Sequence, residues 1–439
     1  MVLKKAHTAT PKNLYFAKDT LIRKEHFGTL ILLRDGRRFT VDQDLFEKLK
    51  NLNKNHLWTK TTVQDMLVIS ELKKLKIVTE DEVESGNVKL INNSFVSNDC
   101  FSFPRTIYWE CTEKCNFHCL HCYSSSESTK KTRGLTLAQV KKMVNELDSR
   151  GAEFLSIGGG EPLLYPDIYK TIAYAKEKGL TIEMTSNGSL LNKENRLKLK
   201  NSGLKFLQVS LDGITDKTYG QIRAGGYLPL VKKNIEAAAK DFVLSICTVA
   251  NKLNVNEIPK IIDYSKRIGA KHYRVLPLMA VGRGKEIEHL QLSTPEWQKL
   301  NRYILNRKKK EKHINIQLNE NLVLPKQKNI TWMPSGHFGC SAGRTTCSID
   351  AKGNVYPCSF MEHPLLNCGN ILKQPLGQIW RNSKILQQLR TLDHLTGACN
   401  KCQHLQNCRG GCRAAAYLRR YKIDDSDYLC TVKRSNTKL

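Results

Sequence analysis

Short apolar runs alternate with helix-like stretches through the middle of the chain, in units of roughly 25–35 residues. The runs lie at residues 107–110, 154–158, 181–188, 206–213, 245–250 and 273–278. This alternation predicts parallel strands joined by helical crossovers. Periodicity alone fits both a doubly wound sheet and a barrel. Most of the runs end in polar or glycine residues, which favours a barrel, because the working residues of parallel barrels lie at the carboxyl ends of the strands.

The first hundred residues follow a different pattern, typical of a small α+β module. Three β-like segments are followed by two helical patterns that Asp42 and Thr61 would cap. The segments are Leu21–Arg23, Thr29–Leu33 and, after an Asp35-Gly36 turn, residues 37–41, and the helices would end near Leu52 and Lys76. Residues 85–99 are polar and are predicted to link this module to the barrel.

Composition excludes several classes of protein. The chain has 439 residues, is 40% hydrophobic and carries a formal charge of +29. It has no apolar run near the roughly 20 residues that span a bilayer, and its first residues lack an apolar signal core. We therefore predict a cytoplasmic protein with no membrane partner. The basic residues form no single arm or stripe, so a nucleic-acid partner is not expected, and an acidic peptide fits the charge at least as well.

The 15 cysteines are concentrated in two regions. Four lie between Cys111 and Cys122, and nine lie between Cys340 and Cys430. In a chain without an export signal, such clusters indicate metal or redox chemistry rather than disulfides. The sequence therefore predicts two metal-binding regions that flank a cysteine-poor scaffold.

Cys115, Cys119 and Cys122 form a C-x3-C-x2-C pattern just after a predicted strand. Three thiolates on one tight loop suit a [4Fe-4S] cluster whose fourth iron has no protein ligand. A structural zinc site is the alternative, and His118, His121 or Cys111 would then supply a fourth ligand.

This pattern, followed by Tyr123, resembles the radical S-adenosylmethionine (SAM) superfamily. The resemblance implies a partial (β/α)6 TIM-type barrel in which the open iron binds SAM. Reductive cleavage of SAM then yields methionine and a 5′-deoxyadenosyl radical that abstracts hydrogen from the substrate. Further landmarks occur in the family's order, and residues 277–284 resemble its sixth-strand segment beside the adenine. The cofactor-binding residues implied by the resemblance are Tyr123, Gly159, Gly160, Glu161, Ser186, Asn187, Ser210, Asp212 and Arg223.

The later cysteines resemble the SPASM extension of radical-SAM enzymes that modify peptides. The resemblance implies two auxiliary [4Fe-4S] clusters, which makes three clusters in all. The first would be held by Cys340, Cys347, Cys358 and Cys412, with Cys368 as the competitor of Cys347, and the second by Cys399, Cys402, Cys408 and Cys430. Zinc ribbons are the alternative for the paired C-x2-C spacing.

The N-terminal module resembles the winged-helix-like peptide-recognition element, similar to the pyrroloquinoline-quinone peptide chaperone, of enzymes that mature ribosomal peptides. Such an element binds a leader peptide as an added strand. The alternative is a packing domain without a ligand. The predicted domains are residues 1–95 for leader recognition, 100–315 for the barrel and 335–439 for the SPASM domain.

Together these resemblances imply an enzyme that installs an oxidative cross-link (thioether, carbon–carbon or ether) in a ribosomal precursor peptide, with electrons from a flavodoxin or ferredoxin. An anaerobic sulfatase-maturating enzyme is an alternative, but that family has an Asp where this chain has Ser359. The pattern is also compatible with a small-molecule radical-SAM enzyme, an iron–sulfur electron carrier or a zinc-binding protein. Glu110 and Asp212 lie near strand ends, but the sequence assigns no catalytic base.

Overall fold

A computed structural model describes most of the chain as two compact units. One comprises the described residues up to Ser102, and the other those from Phe103 onwards. The described residues are 13–16, 20–25, 28–33, 38–55, 63–80, 82, 88–93, 97, 99–130, 134–318, 339–391 and 395–430. Within these ranges no helix combines the length and the apolar character that crossing a membrane requires.

The N-terminal unit contains a four-stranded sheet, a two-stranded sheet and two helices. Its elements are β1 (Tyr15–Phe16), β2 (Thr20–Glu25), β3 (Gly28–Leu33), β4 (Arg38–Val41), α1 (Gln43–Asn55), α2 (Val63–Lys74), β5 (Val78–Thr79) and β6 (Val88–Ile91). The sheet order is β4-β3-β2-β6, and β1 pairs with β5. The three predicted strands and two predicted helices are present, whereas the predicted Asp35-Gly36 turn lies outside the described residues.

Part of the segment predicted to link the module to the barrel, residues 85–99, forms a strand at Val88–Ile91 that the sequence did not predict. These residues form β6, which adds to β2 in parallel, with Thr20 opposite Val88 and Arg23 opposite Ile91. The apolar side chains of Val88 and Leu90 pack against the core of this unit, which includes Ile22, Ile31 and Phe46. The non-local pairing with β2 therefore determines the strand.

The second unit is built on parallel strands that alternate with helices. From the amino end its elements are β7 (Thr106–Glu110), α3 (Leu137–Ser149), β8 (Phe154–Gly158), α4 (Ile168–Glu177), β9 (Thr181–Ser186), α5 (Lys193–Asn201), β10 (Phe206–Ser210), α6 (Asp216–Ile222), α7 (Leu228–Asp241), β11 (Val243–Ala250), α8 (Ile258–Arg267), β12 (His272–Pro277), α9 (Thr294–Lys310) and β13 (Asn315–Gln317). All six predicted strands are present.

The strand order distinguishes a barrel-type sheet from a doubly wound one. Strands β7 to β13 lie side by side in chain order, each parallel to the next, whereas a doubly wound sheet reverses its order at a switch point. Beyond β7 the sheet continues into β14, so β7 and β13 do not pair to close it. The fold is therefore the open, partial barrel predicted from the sequence.

Residues after 338 extend this sheet and add small helices. The elements are β14 (Thr346–Ile349), β15 (Asn354–Tyr356), β16 (Gly369–Asn370), α10 (Leu376–Asn382), α11 (Lys384–Arg390), α12 (Leu405–Cys408) and α13 (Arg413–Arg420). Strand β14 is parallel to β7, and β15 and β16 follow in antiparallel pairs. The C-terminal cysteine-rich region is thus continuous with the barrel sheet.

Alternate strand positions give the barrel a polar inner face. Outward side chains such as Ile182, Met184 and Val209 are buried. The side chains that alternate with buried ones are half-exposed and mostly polar: Tyr108, Ser156, Glu183, Thr185, Gln208, Ser245 and Arg274. A packed barrel core carries branched apolar residues at such positions. We call this inner face the polar chamber.

Candidate active site

The three cysteines of the first cluster lie on a loop that follows β7 and is fixed from several directions. The Cys115 amide donates to the carbonyl of Glu127 at 3.2 Å, and the Leu120 amide donates to that of Ile222 at 3.0 Å. Burial raises the pKa of Cys119 to about 11; the Arg223 guanidinium opposes this effect, and the nearby thiols of Cys122 and Cys115 add to it. A cationic metal cluster would therefore be needed to hold these grouped thiols as thiolates.

The Gly-Gly-Glu-Pro turn packs directly on that loop. A Cβ atom on Gly160 would lie 2.0 Å from the carbonyl oxygen of Lys114, and one on Gly159, whose φ is +121°, would lie 2.6 Å from that of Thr112. The Gly160 amide donates a hydrogen bond to the carbonyl oxygen of Thr112 at 2.7 Å. Both positions require glycine because the turn touches backbone atoms of the cysteine loop.

Glu161 joins this turn to the end of β9. Its side chain is fully buried and accepts hydrogen bonds from the Ser186 hydroxyl at 2.9 Å and the Asn187 amide at 2.8 Å. Burial raises its pKa to about 7, against the opposing effect of these bonds. The Asn187 side-chain amide lies 3.9 Å from Cys115 Sγ. The structure therefore brings these three predicted residues together beside the first cysteine.

Asp212 connects Arg223 with a histidine that the sequence interpretation placed only among alternative zinc ligands. Arg223 Nε lies 2.6 Å and His121 Nε2 3.2 Å from the same oxygen, Oδ2 of Asp212. Although burial opposes ionisation, the charges of Arg223 and His121 hold the pKa of Asp212 well below its usual range. Arg223 Nη1 lies 3.8 Å from Cys119 Sγ. The position of His121 between two cysteines was the available signal.

Arg283, in the predicted sixth-strand segment, clamps the cysteine loop. Its buried side chain donates to the carbonyl oxygens of Cys119 and Ser126, both at 2.9 Å, and its amide donates to that of Cys122 at 3.0 Å. Ser210 ends β10, and Tyr123 packs edge-on against Phe360 at 5.4 Å between ring centroids.

The C-terminal cysteines form groups that partly match the predicted ligand sets. Cys340, Cys358 and Cys412 lie in one apolar cluster, and the charges of the other two raise the pKa of Cys412 in addition to burial. Burial, followed by the charge of Cys430 and then that of Cys399, raises the pKa of Cys408 to about 11. Cys402, the fourth predicted ligand of the second auxiliary cluster, lies in the same segment, and its amide donates to the carbonyl oxygen of Cys399 at 3.1 Å.

Cys347 lies in a different environment from the other members of its predicted set. It is fully buried on β14, and burial, followed by the charge of Cys368, raises the pKa of its thiol, while Arg390 opposes this effect. The structure thus places both candidates for the fourth ligand, Cys347 and Cys368, beside each other. The assignment of Cys347 to the first auxiliary cluster stays a prediction.

The thiol groups fit iron–sulfur clusters, and the first loop fits a cluster with SAM. Cys115, Cys119 and Cys122 would hold that cluster, and the two C-terminal groups would hold the auxiliary ones. The glycines of the turn let its backbone pack directly on the cysteine loop, and Glu161 and Arg223 provide opposite charges for an ammonium and a carboxylate. Among the described residues, no three His, Cys, Asp or Glu side chains are grouped as they would be around a single metal ion.

A second acidic residue that the sequence interpretation missed lies beside Glu110. The Glu362 carboxyl group and the Tyr123 hydroxyl both lie beside Glu110, where each opposes the rise in the pKa of Glu110 that burial causes. Burial and the repulsion between the two carboxyl groups raise the pKa of Glu362. No motif marks Glu362, and 251 residues separate it from its partner in the sequence.

Two known protein families match parts of this chain in sequence. The family described as the radical SAM superfamily matches residues 109–265, and SPASM, described as an iron–sulfur cluster-binding domain, matches residues 340–403. The AdoMet-dependent heme synthase of Methanosarcina barkeri is 33% identical over 331 residues, covering 72% of this chain and 92% of that protein. The mycofactocin maturase MftC of Mycobacterium ulcerans is 30% identical, covering 74% of this chain and 88% of that protein.

A solved structure resembles nearly the whole chain in fold. Streptococcus suis SuiB bound to the precursor peptide SuiA has a TM-score of 0.74 and 17% identity, and the match covers 95% of this chain and all of that one. At this level of identity the similarity concerns the fold alone.

Proposed function

This chain belongs to the radical SAM superfamily and carries a SPASM iron–sulfur domain, and from that premise we propose that it modifies a ribosomally made precursor peptide. The proposed product is an oxidative cross-link: a thioether, a carbon–carbon bond or an ether. SAM and [4Fe-4S] clusters are the cofactors of this class, and we propose one radical-SAM cluster and two auxiliary clusters here. When bound, they would supply one-electron chemistry for hydrogen abstraction.

The main support is the extent of the fold similarity to SuiB with its precursor peptide. That similarity covers 95% of the chain. The N-terminal unit, which ends at Ser102, is longer than the uncovered 5%, so most of this unit lies within the matched part. We propose that this unit, predicted as residues 1–95, binds the leader part of the peptide. In the described sheet, β4 and β6 are the edge strands to which a peptide strand could add.

The chain's own residues would position SAM against the first cluster. Glu161 would accept hydrogen bonds from an ammonium group, and Arg223, held by Asp212, would face a carboxylate. Gly159 and Gly160 let the turn that carries Glu161 pack directly on the cysteine loop. The polar chamber would then receive the part of the substrate that reacts.

The basic charge of the chain supports an acidic electron donor. Flavodoxins and ferredoxins are the proposed reductants, and a formal charge of +29 would attract an acidic carrier. A cytoplasmic location, which we also propose, would keep the cluster thiols reduced.

A second candidate function is haem synthesis, favoured by the 33% identity to the M. barkeri heme synthase. The two candidates differ in substrate: one acts on a peptide and the other on a tetrapyrrole. Both use the same barrel and thiol groups, so the site of the first cluster does not separate them.

The test uses the full chain, reconstituted anaerobically with iron, sulfide, SAM and a reductant. It is incubated with synthetic peptides encoded by short reading frames that flank its gene or, separately, with iron-coproporphyrin III. The proposal predicts a peptide that has lost two hydrogens, detected by mass spectrometry. Turnover of the porphyrin with every peptide unchanged would contradict it. A Cys119→Ala variant should be inactive, and Cys100→Ala, which changes a thiol outside the predicted ligand sets, should remain active.

A further inference from the structure

Glu110 and Glu362 form a carboxyl pair at the carboxyl end of the first barrel strand. Glu110 is the last residue of β7 and is 6% exposed, and Glu362 follows a short turn after Cys358. The Ser348 hydroxyl donates to Glu362 Oε1 at 3.3 Å and also lies 3.2 Å from the hydroxyl of Ser359. Two separate segments of the chain thus bring two acidic groups into contact at a place where burial disfavours negative charge.

No cation among the described residues balances this pair. Apart from burial and hydrogen bonds, the charges with the largest effects on the pKa values of the two carboxyl groups are all acidic. They are Glu110 and Asp350 for Glu362, and Asp350 and Glu113 for Glu110. The charge of Arg274 opposes the rise in the pKa values of Tyr108 and Cys247, but it is not among the charges with the largest effects on the pKa of either glutamate.

Several buried carboxylates elsewhere in this protein do have a cationic partner. Asp212 pairs with Arg223 at 2.6 Å, and Glu153 pairs with Arg105 at 2.5 Å. In the N-terminal unit, Glu25 pairs with Arg23 at 2.6 Å. Glu161, also buried without an ion pair among the described residues, accepts hydrogen bonds from Ser186 and Asn187 instead. The pair of Glu110 and Glu362 has neither a cation nor a backbone amide donor in the described part of the chain, which in a chain of net charge +29 points to a ligand.

One atom of the pair has unused hydrogen-bonding capacity. Glu110 Oε1 is buried and has no hydrogen-bond partner in the described part of the chain. A buried acceptor without a donor is unfavourable unless a ligand supplies one. Tyr108, two residues earlier on the same face of β7, belongs to the polar chamber, so Glu110 lies on the chamber side of the strand.

We propose that Glu110 and Glu362 bind a cationic group of the substrate, the ammonium or guanidinium of a lysine or arginine side chain. This inference rests on the proposed peptide-modifying function and specifies a substrate feature. An ammonium donates three hydrogen bonds and a guanidinium five, so either can satisfy Glu110 Oε1 and offset the negative charge. A tetrapyrrole whose polar groups are carboxylates would instead meet electrostatic repulsion here.

The test measures whether the loaded enzyme distinguishes a charged side chain from a neutral one of similar length. The probes are two blocked pentapeptides, Gly-Gly-X-Gly-Gly, in which X is lysine or norleucine, titrated anaerobically into the holoenzyme with SAM. Hydrogen bonds to charged groups contribute about 1.5–3 kcal/mol, so we expect the lysine peptide to bind at least about 10-fold more tightly.

Variants assign that preference to the pair. Glu110→Gln and Glu362→Gln should each reduce the ratio of the two dissociation constants, and the double variant should bring it close to one. The control, Glu194→Gln, removes an exposed helix carboxylate and should keep the wild-type ratio. The single variants keep the test decisive if the double variant does not fold.

Three results would overturn the inference. They are equal affinity for both pentapeptides in the wild type, a preference that survives in both single variants, and a loss of SAM affinity equal to the loss of peptide affinity. The last would assign the pair to the cofactor. A coproporphyrin probe run in parallel separates the two proposals, since tighter binding of coproporphyrin than of either peptide counts against the peptide function itself.

Discussion

Arg223 Nε lies 2.6 Å from Asp212 Oδ2, and both side chains are almost completely buried. The pair links the end of β10 to the segment after α6, and Arg223 also reaches the thiol of Cys119. A buried charge that loses its partner is strongly destabilising, typically by about 3–5 kcal/mol. We therefore expect the pair to matter both for folding and for the proposed SAM site.

We predict that Asp212→Asn lowers the unfolding free energy by roughly 3–5 kcal/mol and weakens SAM binding, because Arg223 keeps its charge without an anion. Urea denaturation and equilibrium binding of SAM measure the two effects. The control is Asp241→Asn, which breaks the more exposed pair with Arg196 and should change stability by about 1 kcal/mol or less. Equal effects of the two variants would contradict the buried role of Asp212.

Two glycines in one turn offer a matched steric test. Gly160→Ala would place its Cβ 2.0 Å from the Lys114 carbonyl oxygen, whereas a Cβ on Gly158 would meet nothing within 4 Å. Gly160→Ala should displace the cysteine loop and lower the iron bound at the first cluster, with a stability loss of about 1–3 kcal/mol. Gly158→Ala should retain wild-type iron content. Iron analysis and urea denaturation check both.

The contacts of Arg283 with the cysteine loop predict that a lysine at this position does not support normal SAM binding. Its side chain donates separately to the carbonyl oxygens of Cys119 and Ser126, which a single ammonium cannot reproduce in the same geometry. Arg283→Lys should therefore weaken SAM binding several-fold, while Arg302→Ala, at an exposed position on α9, should have no effect. Full SAM affinity in Arg283→Lys would refute the clamp.

The raised pKa of Glu161 predicts how the unfolding free energy of the cluster-free protein depends on pH. Its folded pKa of about 7 exceeds the ordinary value of 4.5, so the folded state holds its proton longer than the unfolded state does. The unfolding free energy should therefore fall as pH rises from about 4.5 to 7, by roughly 3 kcal/mol from this group. Glu161→Gln should flatten the curve in that window. An identical pH dependence in wild type and variant would show that Glu161 titrates normally.

The auxiliary sites predict distinct losses of iron. Cys412→Ala and Cys408→Ala should each remove about four iron atoms per chain, because each thiol belongs to a separate group. Cys347→Ala and Cys368→Ala, compared in parallel, identify the fourth ligand, for which we expect Cys347. Full iron content in Cys412→Ala would contradict the first auxiliary group.

The features predicted from sequence are those that depend on neighbours along the chain. The spacing of Cys115, Cys119 and Cys122, the turn at Gly160 and the six strands each have a local signature. Relationships between distant segments do not. Strand β6 exists because Val88–Ile91 pairs with β2, and Glu362 becomes part of the site only because β14 and β7 are adjacent. His121 lies within the motif, but its link to Asp212 depends on a contact 91 residues away.

Radical-SAM chemistry in this enzyme is tested by the fate of SAM on the reduced, fully loaded protein. The protein is reconstituted anaerobically, given SAM and dithionite, and its products are separated by chromatography. We expect methionine and 5′-deoxyadenosine from the wild type, and neither from Cys119→Ala. Intact SAM on an enzyme that carries its full iron complement would contradict the central claim that Cys115, Cys119 and Cys122 leave one iron open for SAM.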